Sequence, residues 1–222
     1  MNLFLNMKFS ILRNLKVSMR FLLVSMFALE SVTSVCQELV KEYYKSGELK
    51  AAGKLTKDKK EGEWIFYYPS GKRNSIENYS DGKLHGEVTY FYPTEVKQGH
   101  EVWKEGVMQD SAWYFHSNGR LQRKGVYKNS QYFGQWKHFF ENEKLERIVN
   151  YQKGIPEGET VVYNDKGFLL QEGQYHDGKE EGGWKFYSDD GKLKFRGSYH
   201  AGKPTGTWYE IKTGKEKIYK KY

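Results

Sequence analysis

Glycine, aromatic and polar positions recur along this chain with a period of 24 residues, from residue 43 to residue 211, without insertion or deletion. Two glycine columns mark the period most clearly. The first comprises Gly47, Gly71, Glu95, Gly119, Glu143, Gly167 and Gly191, and the second comprises Gly62, Gly86, Asp110, Gly134, Gly158, Gly182 and Gly206. A fixed period in this range indicates a repeat architecture, so the seven units, rather than the length of 222 residues, predict the fold.

Large side chains fill three further columns of the same period. The mid-unit column comprises Leu55, Tyr79, Trp103, Tyr127, Tyr151, Tyr175 and Tyr199; the tryptophan column comprises Trp64, Val88, Ala112, Trp136, Thr160, Trp184 and Trp208; the closing column comprises Tyr67, Phe91, Phe115, Phe139, Tyr163, Tyr187 and Ile211. In the third copy the tryptophan is displaced by one residue, so that Ala112 occupies the column and Trp113 follows it. Aromatic residues make up 17% of the chain, which is typical of β-structure rather than of helix bundles.

Each unit contains two short β-rich runs and two turns. Asp177-Gly178 is a strong signal for a two-residue hairpin turn, because both central residues of that turn need positive φ. A second turn is predicted at Asp190-Gly191 and at the matching positions of other units. The sequence therefore predicts an all-β fold: an elongated open antiparallel meander of about seven 24-residue β-hairpin repeats, with about fourteen strands.

A two-residue turn at Asp177-Gly178 would place Gly173 opposite Gly182 and Gln171 opposite Trp184. Because side chains alternate along a strand, the rings of neighbouring units then share one face. We expect these rings mainly to stack as the core of the sheet, and as a functional hypothesis they form a candidate interaction face. Its members are Trp64, Tyr79, Trp103, Tyr127, Trp136, Tyr151, Tyr175, Trp184, Tyr199 and Trp208.

The N-terminal residues have the order of a secretory signal. Basic residues at 8, 13, 16 and 20 precede the apolar run 21–29, and a polar stretch of small residues leads to Cys36. The apolar run is nine residues long, whereas a spanning helix needs ~20. We therefore expect an exported protein, periplasmic, envelope-associated or secreted, whose mature chain begins near Gln37, as N-terminal sequencing of the native protein would show. A cytosolic protein with an amphipathic N-terminus is the alternative.

Cys36 is the single cysteine, so the chain can form no internal disulfide. Its position directly after the apolar segment leaves two interpretations, a cleavage site or a lipidated residue. Lipidation requires a small residue before the cysteine, and Val35 stands there. The predicted organisation is a signal peptide at 1–36, a lead-in at 37–42, seven repeats at 43–211 and a partial C-terminal capping repeat at 212–222.

The repeated residues resemble the MORN repeat, and more closely its bacterial variant. The features that carry the resemblance are the glycine after the closing aromatic residue, the mid-unit G-x-Y, the D-G-K turn and the final G-x-W-x-x-Y, over residues 43–211 with a partial copy behind them. The resemblance implies successive hairpins in an antiparallel sheet and a role in protein–protein contact or scaffolding. It also implies contact with acidic phospholipid, and some bacterial members are filed as antitoxin-like.

Catalytic and cofactor motifs are absent from the sequence: there is no H-E-x-x-H, no pair of cysteines, no G-x-S-x-G and no phosphate loop. We therefore expect a non-enzymatic protein that uses no cofactor or metal and binds an unidentified protein partner. Two alternatives are weak peripheral binding to acidic phospholipid membranes and cell-wall or choline-type ligand binding through aromatic cages.

The charge of the chain argues against a nucleic-acid partner. The net charge is +8, and four basic and one acidic residue precede residue 37, which leaves 32 basic against 27 acidic residues in the rest. Lysines concentrate at the predicted turns, where solvated charge also protects sheet edges. A mild excess of this kind favours solubility more than it indicates an acidic partner.

Overall fold

The computed structural model describes residues 38–222, which form one antiparallel sheet of sixteen strands in sequence order. The strands are β1 Glu38–Tyr43, β2 Leu49–Thr56, β3 Lys59–Tyr67, β4 Arg73–Ser80, β5 Lys83–Phe91, β6 Lys97–Lys104, β7 Val107–Phe115, β8 Leu121–Lys128, β9 Gln131–Phe139, β10 Leu145–Gln152, β11 Ile155–Tyr163, β12 Leu169–His176, β13 Lys179–Tyr187, β14 Leu193–His200, β15 Lys203–Lys212 and β16 Lys215–Lys221. The predicted all-β, open antiparallel meander is confirmed. The predicted signal segment and Cys36 lie outside the described residues.

Two strands join the fourteen that the repeats predict. The lead-in contributes β1, which pairs with β2, and the C-terminal segment contributes β16, which pairs with β15. Both are half-repeats, so the first and last complete hairpins each have a neighbour. Within residues 38–222, no helix is long and apolar enough to cross a membrane.

The two long sides of the sheet carry different turns. On one side, here called the tight-turn side, two residues of positive φ join each pair of strands, and the two φ values at Asp177 and Gly178 are 47° and 74°. The seven turns of this side are Lys57-Asp58, Asp81-Gly82, Glu105-Gly106, Asn129-Ser130, Lys153-Gly154, Asp177-Gly178 and Ala201-Gly202. The first and fourth keep the conformation without glycine, so the sheet imposes it where the sequence signal is missing.

On the other side, a four-residue turn closes each hairpin up to β14. In the turn that starts at Tyr44, the Gly47 N–H donates to the Tyr44 carbonyl at 3.0 Å, and Gly47 has a φ of 101°. Glu95 and Glu143 occupy the same column with φ 67° each. Because a side chain at positive φ is strained, these two acidic residues carry a local cost that the glycines of the column avoid.

The hairpins differ from the predicted register through a bulge at the second glycine column. Near the turn, Tyr175 pairs with Glu180 and Gln174 with Glu181, as the two-residue turn requires, but Gln171 pairs with Phe186 instead of Trp184. Gly182, at φ 67°, begins a three-residue stretch that lies opposite Gly173 alone. The predicted facing pairs beyond the turn were therefore wrong, because a bulge inserts residues into one strand.

The bulge lets a tryptophan lie flat on the neighbouring strand. An added Cβ at Gly173 would lie 2.2 Å from Trp184 Cδ2, which leaves room for no residue larger than glycine. The same contact joins Gly53 to Trp64, Gly125 to Trp136 and Gly197 to Trp208. In the first, second and fourth of these contacts along the chain, the indole N–H donates to the carbonyl of the residue after the glycine: Trp64 to Lys54, Trp136 to Val126 and Trp208 to Ser198.

Hydrogen bonds outside the strand ladder tie each hairpin to the next, from side chains on one side of the sheet and from the backbone on the tight-turn side. The hydroxyls of Tyr44, Tyr68 and Tyr92 donate to the carbonyls of Tyr67, Phe91 and Phe115, each 23 residues on, at 2.7–2.8 Å. On the tight-turn side, the N–H of the second turn residue donates to a carbonyl of the preceding hairpin; Gly178 N–H to Pro156 O is one such bond, at 3.0 Å. The 24-residue unit is therefore bonded to its neighbours beyond the ladder of the sheet.

Candidate interaction surfaces

The sheet has two faces of different character. The tryptophan face carries the mid-unit and tryptophan columns and a third cross-strand row. This row, here called the Phe66 row, runs Ala51, Phe66, Ser75, Tyr90, Gly99, Tyr114, Arg123, His138, Arg147, Val162, Gln171, Phe186, Phe195 and Glu210. The opposite face carries a central row of Ile65, Ile76, Thr89, His100, Trp113, Lys124, Lys137, Ile148, Val161, Glu172, Lys185, Arg196 and Tyr209.

The ten residues of the hypothesised interaction face share the tryptophan face but differ in exposure. Five are buried, with exposed fractions of 0% for Trp64, 8% for Tyr127, 0% for Trp136, 3% for Trp184 and 7% for Trp208. The other five, Tyr79, Trp103, Tyr151, Tyr175 and Tyr199, are half-buried. A buried ring offers little surface to a partner, so the four tryptophans act as the core of a single-layer sheet.

The rings cover one another in edge-to-face contacts. Trp136 packs against Tyr132 and Tyr127 with ring centroids 4.4 and 5.0 Å apart and planes nearly perpendicular. At the N-terminal end, the Lys60 amine lies 4.5 Å from the ring centroid of Trp64 and also over Phe66 and Tyr79. This aromatic cage is filled from within the chain.

Acidic side chains replace the tryptophan–glycine contact in two units. Glu77 and Glu101 stand at the positions that Gly53, Gly125, Gly173 and Gly197 hold in other units, and the tryptophan column there holds Val88 and Ala112. Glu101 is 6% exposed, and its carboxylate accepts hydrogen bonds from Tyr114 OH at 2.6 Å, Trp103 Nε1 at 3.0 Å and Tyr90 OH at 3.2 Å. Burial, then the neighbouring Glu101 carboxylate, raises the pKa of Tyr90 and Tyr114. Sequence reasoning missed this network, although the loss of tryptophan and the gain of glutamate 11 residues apart were a visible signal.

Basic side chains occupy the Phe66 row in three consecutive strands, β8, β9 and β10. His138 pairs directly with Arg123 on one side and with Arg147 on the other. Burial, with a further contribution from the two guanidinium groups, lowers the pKa of His138 from 6.5 to about 4. The Arg123 guanidinium lies 4.2 Å above the Tyr114 ring.

The low pKa of His138 predicts a loss of stability in acid. Because the folded-state pKa lies below the ordinary 6.5, the unfolded chain takes up the proton first, and stability falls as the pH drops from about 6.5 to about 4. We expect roughly 1–2 kcal/mol for this half-buried group. The His138→Phe variant, which restores an aromatic ring to the row, should lack this share of the acid loss.

Denaturant unfolding of both proteins between pH 7.5 and 4 measures the difference, since the two proteins differ only at residue 138. Parallel pH profiles for the wild type and His138→Phe would contradict the assignment.

The displaced tryptophan lies on the opposite face. A shift of one residue reverses the side of a strand on which a side chain stands, so Trp113 leaves the core that Trp136 occupies. It is half-buried, 5.4 Å from the His100 ring by centroids, and lines an open groove of about 280 Å³ with Lys124, Val126 and Lys137. Val126 and Phe133 of the opposite face are 37% and 41% exposed. The hypothesised face did not include Trp113.

Polar groups on the tight-turn side serve the fold. The Glu157 carboxylate accepts from the Asp177 N–H at 2.9 Å and lies 3.0 Å from His176 Nδ1, and Glu181 repeats the arrangement with Ala201 and His200. These contacts lower the pKa of Glu157 and raise that of His176. In residues 38–222, no group of three or more histidine, cysteine or acidic side chains is placed to hold a metal ion.

Three segments of the chain match the family model of the MORN repeat variant: residues 60–81, 134–153 and 180–201. The chain contains MORN-variant repeats. Each matched segment spans a four-residue turn and ends at the first residue of a tight turn, and the unmatched units keep the same strands and turns in the structure. No curated protein matches the chain.

The solved structures that match this chain have low sequence identity to it and low TM-scores. They include the TcdB2–TccC3–Cdc42 complex at 12% identity, covering 79% of this chain and 13% of that one with a TM-score of 0.19, and the TcdB2–TccC3 complex at 12% identity, covering 81% and 14% with a TM-score of 0.16. A protein of unknown function from Bacteroides fragilis NCTC 9343 is 11% identical, with 83% and 90% covered and a TM-score of 0.13. The present chain thus spans about one seventh of the length of the first two.

Proposed function

We propose that this MORN-variant protein is an exported, non-enzymatic scaffold that binds a protein partner through its opposite face, centred on Trp113. The observation that carries the proposal is the placement of Trp113: the repeat pattern would bury a tryptophan at the preceding position, yet this one stands half-buried beside an open groove. Tryptophan is enriched among the few residues that dominate binding energy at protein interfaces.

The chemistry of the groove indicates the kind of partner. Lys124 is the direct cross-strand partner of Trp113, Lys137 lies opposite Lys124 on the next strand, and neither amine pairs with a carboxylate among the described residues. Val126 and Phe133 add exposed apolar surface nearby. A protein surface that presents an apolar or aromatic side chain with acidic residues beside it fits this combination, with apolar contact at the centre and charge at the rim.

The buried tryptophans support the choice of face. Trp64, Trp136, Trp184 and Trp208 are needed to fill the tryptophan face, so their removal would damage the sheet rather than report on a partner. Trp113 packs mainly against His100 and can be truncated with less effect on the core. It is therefore the aromatic residue of this sheet that best separates binding from folding.

Binding should depend on Trp113 far more than on an aromatic residue elsewhere in the same row. We expect Trp113→Ala in the full chain to weaken capture of the partner by about 30-fold, or ~2 kcal/mol, in ~0.5 M salt, where apolar contacts are not screened. The matched control is Tyr209→Ala, four hairpins away in the central row of the opposite face. Melting curves of both variants are to be recorded first, to establish that each one folds.

The readout is a quantitative comparison of the proteins retained from the cell envelope by immobilised wild type and each variant, followed by titration of any protein lost with Trp113→Ala. A partner retained equally by Trp113→Ala and wild type, or lost equally with Tyr209→Ala, overturns the proposed surface. Retention that disappears in ~0.5 M salt and with lysine neutralisation alone would instead support the acidic-membrane alternative.

A further inference from the structure

We infer that Arg123, His138 and Arg147 form a binding site for an oxyanion, a carboxylate or phosphate group, on the tryptophan face. The three side chains project from the adjacent strands β8, β9 and β10, and His138 is the direct cross-strand partner of both arginines. With strands about 4.8 Å apart, one anion above His138 lies within reach of both guanidinium groups. The site is on the other face from Trp113 and does not depend on the proposed function.

The repeat itself shows that these residues are unusual. Every other position of the Phe66 row before Gln171 holds an aromatic, aliphatic, small or hydroxyl side chain, such as Tyr90, Tyr114 and Val162. Like charges directly opposite one another destabilise a sheet. Burial, together with the two neighbouring arginines, lowers the pKa of His138. An aromatic ring at position 138 would satisfy the packing of the row, so packing alone does not require this cluster.

Neither arginine has an acidic partner within residues 38–222. The other arginines in that range pair with carboxylates: Arg73 with Glu95, Arg120 with Glu143, and Arg196 with Glu216. The nearest acidic network of this face, at Glu101, is already occupied by three donors. The positive charge of the cluster is therefore balanced by no carboxylate of the described chain.

Arg123 is held in place for such a role. Its guanidinium stacks on the Tyr114 ring at 4.2 Å, and its Nε is buried without a hydrogen-bond acceptor. An open groove of about 320 Å³, lined by Tyr90, Tyr114 and Arg123, gives access beside it. Arg147 is exposed on the far side of His138. A planar, pre-positioned guanidinium is the group best suited to bidentate contact with a carboxylate or phosphate.

An anion in this position changes the protonation of His138. The two guanidinium charges disfavour imidazolium in the free protein, and a bound oxyanion offsets them and accepts a hydrogen bond from the protonated ring. Ligand binding and His138 protonation are thus coupled, and the charged groups that take part are Arg123, Arg147 and His138 itself.

The test is an NMR titration of the histidine side chains of the full chain in phosphate, in acetate and in chloride at equal ionic strength. The His138 signal is assigned by its absence from His138→Phe. We expect the His138 pKa to rise by at least one unit in an oxyanion relative to chloride, while that of His176, which is exposed and paired with Glu157, stays constant. A rise in acetate as well as phosphate shows that carboxylate is accepted; a rise in phosphate alone restricts the ligand to phosphate-bearing groups.

An identical His138 titration in all three anions overturns the inference. So does an anion-dependent rise that persists when Arg123→Gln and Arg147→Gln are combined, because the anion would then act elsewhere. Removing the arginines also raises the pKa of His138 in chloride, so the difference between anions in each protein is the quantity compared. The wild-type comparison alone decides the outcome if the double variant does not fold.

Discussion

Replacing Gly173 by alanine is expected to lower the free energy of unfolding by about 3 kcal/mol, or roughly 6–12 °C in melting temperature. The added Cβ would lie 2.2–2.7 Å from three ring atoms of Trp184, and an indole wedged in a bulge cannot move away without losing its contacts with Tyr175 and Tyr199. Gly173 has ordinary extended backbone, so the cost arises from the collision and not from strain in φ.

Gly183→Ala provides the matched control in the same hairpin. Gly183 also has ordinary φ, and a Cβ there would meet nothing within 4 Å, so this variant should melt like the wild type. Thermal and denaturant unfolding of the three proteins measure the difference. Equal losses at Gly173 and Gly183 would show that the tryptophan does not lie over the glycine.

The chain itself supplies a compensating pair. In the unit where Thr160 replaces tryptophan, Val149 replaces glycine, both are buried, and the Thr160 hydroxyl donates to the Ile148 carbonyl. Combining Gly173→Val with Trp184→Thr should therefore cost less than Gly173→Val alone. Such coupling between contacting residues is the expected behaviour of a steric pair.

The sequence was sufficient for the fold because its signals are local and repeated. Turn residues such as Asp177-Gly178 fix two strands at a time, and the 24-residue period carries the same geometry along the chain. The pairing beyond each turn could not be derived in this way. A bulge changes neither the turn residues nor the side of the sheet shared by Trp184 and Phe186. It shifts the register of the two paired strands, so Gln171 faces Phe186.

The candidate site was predictable in part. The columns placed the rings on one face, as expected, but a periodic pattern does not distinguish a ring that covers its neighbours from one that a partner can reach. Exposure follows from the bulge, which lays Trp136 and Trp184 flat. The departures from the pattern were the better guide. Trp113, Glu101 and His138 each break a column, and each has surroundings in the structure that the repeated unit does not predict.

Removing one whole repeat is expected to preserve the sheet, whereas removing half a repeat is expected to split it. Deletion of residues 143–166 joins Asn142 to Gly167, which completes a four-residue turn and lets β9 pair with β12 as β11 does. The join also replaces Glu143, at positive φ, by a glycine. Because each unit contacts only its neighbours, the shorter protein should melt cooperatively near the wild-type temperature.

Deletion of residues 143–154 removes β10 alone and brings β9 next to β11. Both strands carry the tryptophan column, and after the deletion Val161 takes the position that Val149 holds opposite Trp136, so a residue of the opposite face would replace one of the tryptophan face. The deletion also removes the tight turn Lys153-Gly154, which joins β10 to β11. We expect two separate melting transitions, one for each side of the break, with the less stable part well below the wild-type temperature. Differential scanning calorimetry of the two deletions distinguishes these outcomes, and indistinguishable melting curves would show that the 24-residue period is not the unit of structure.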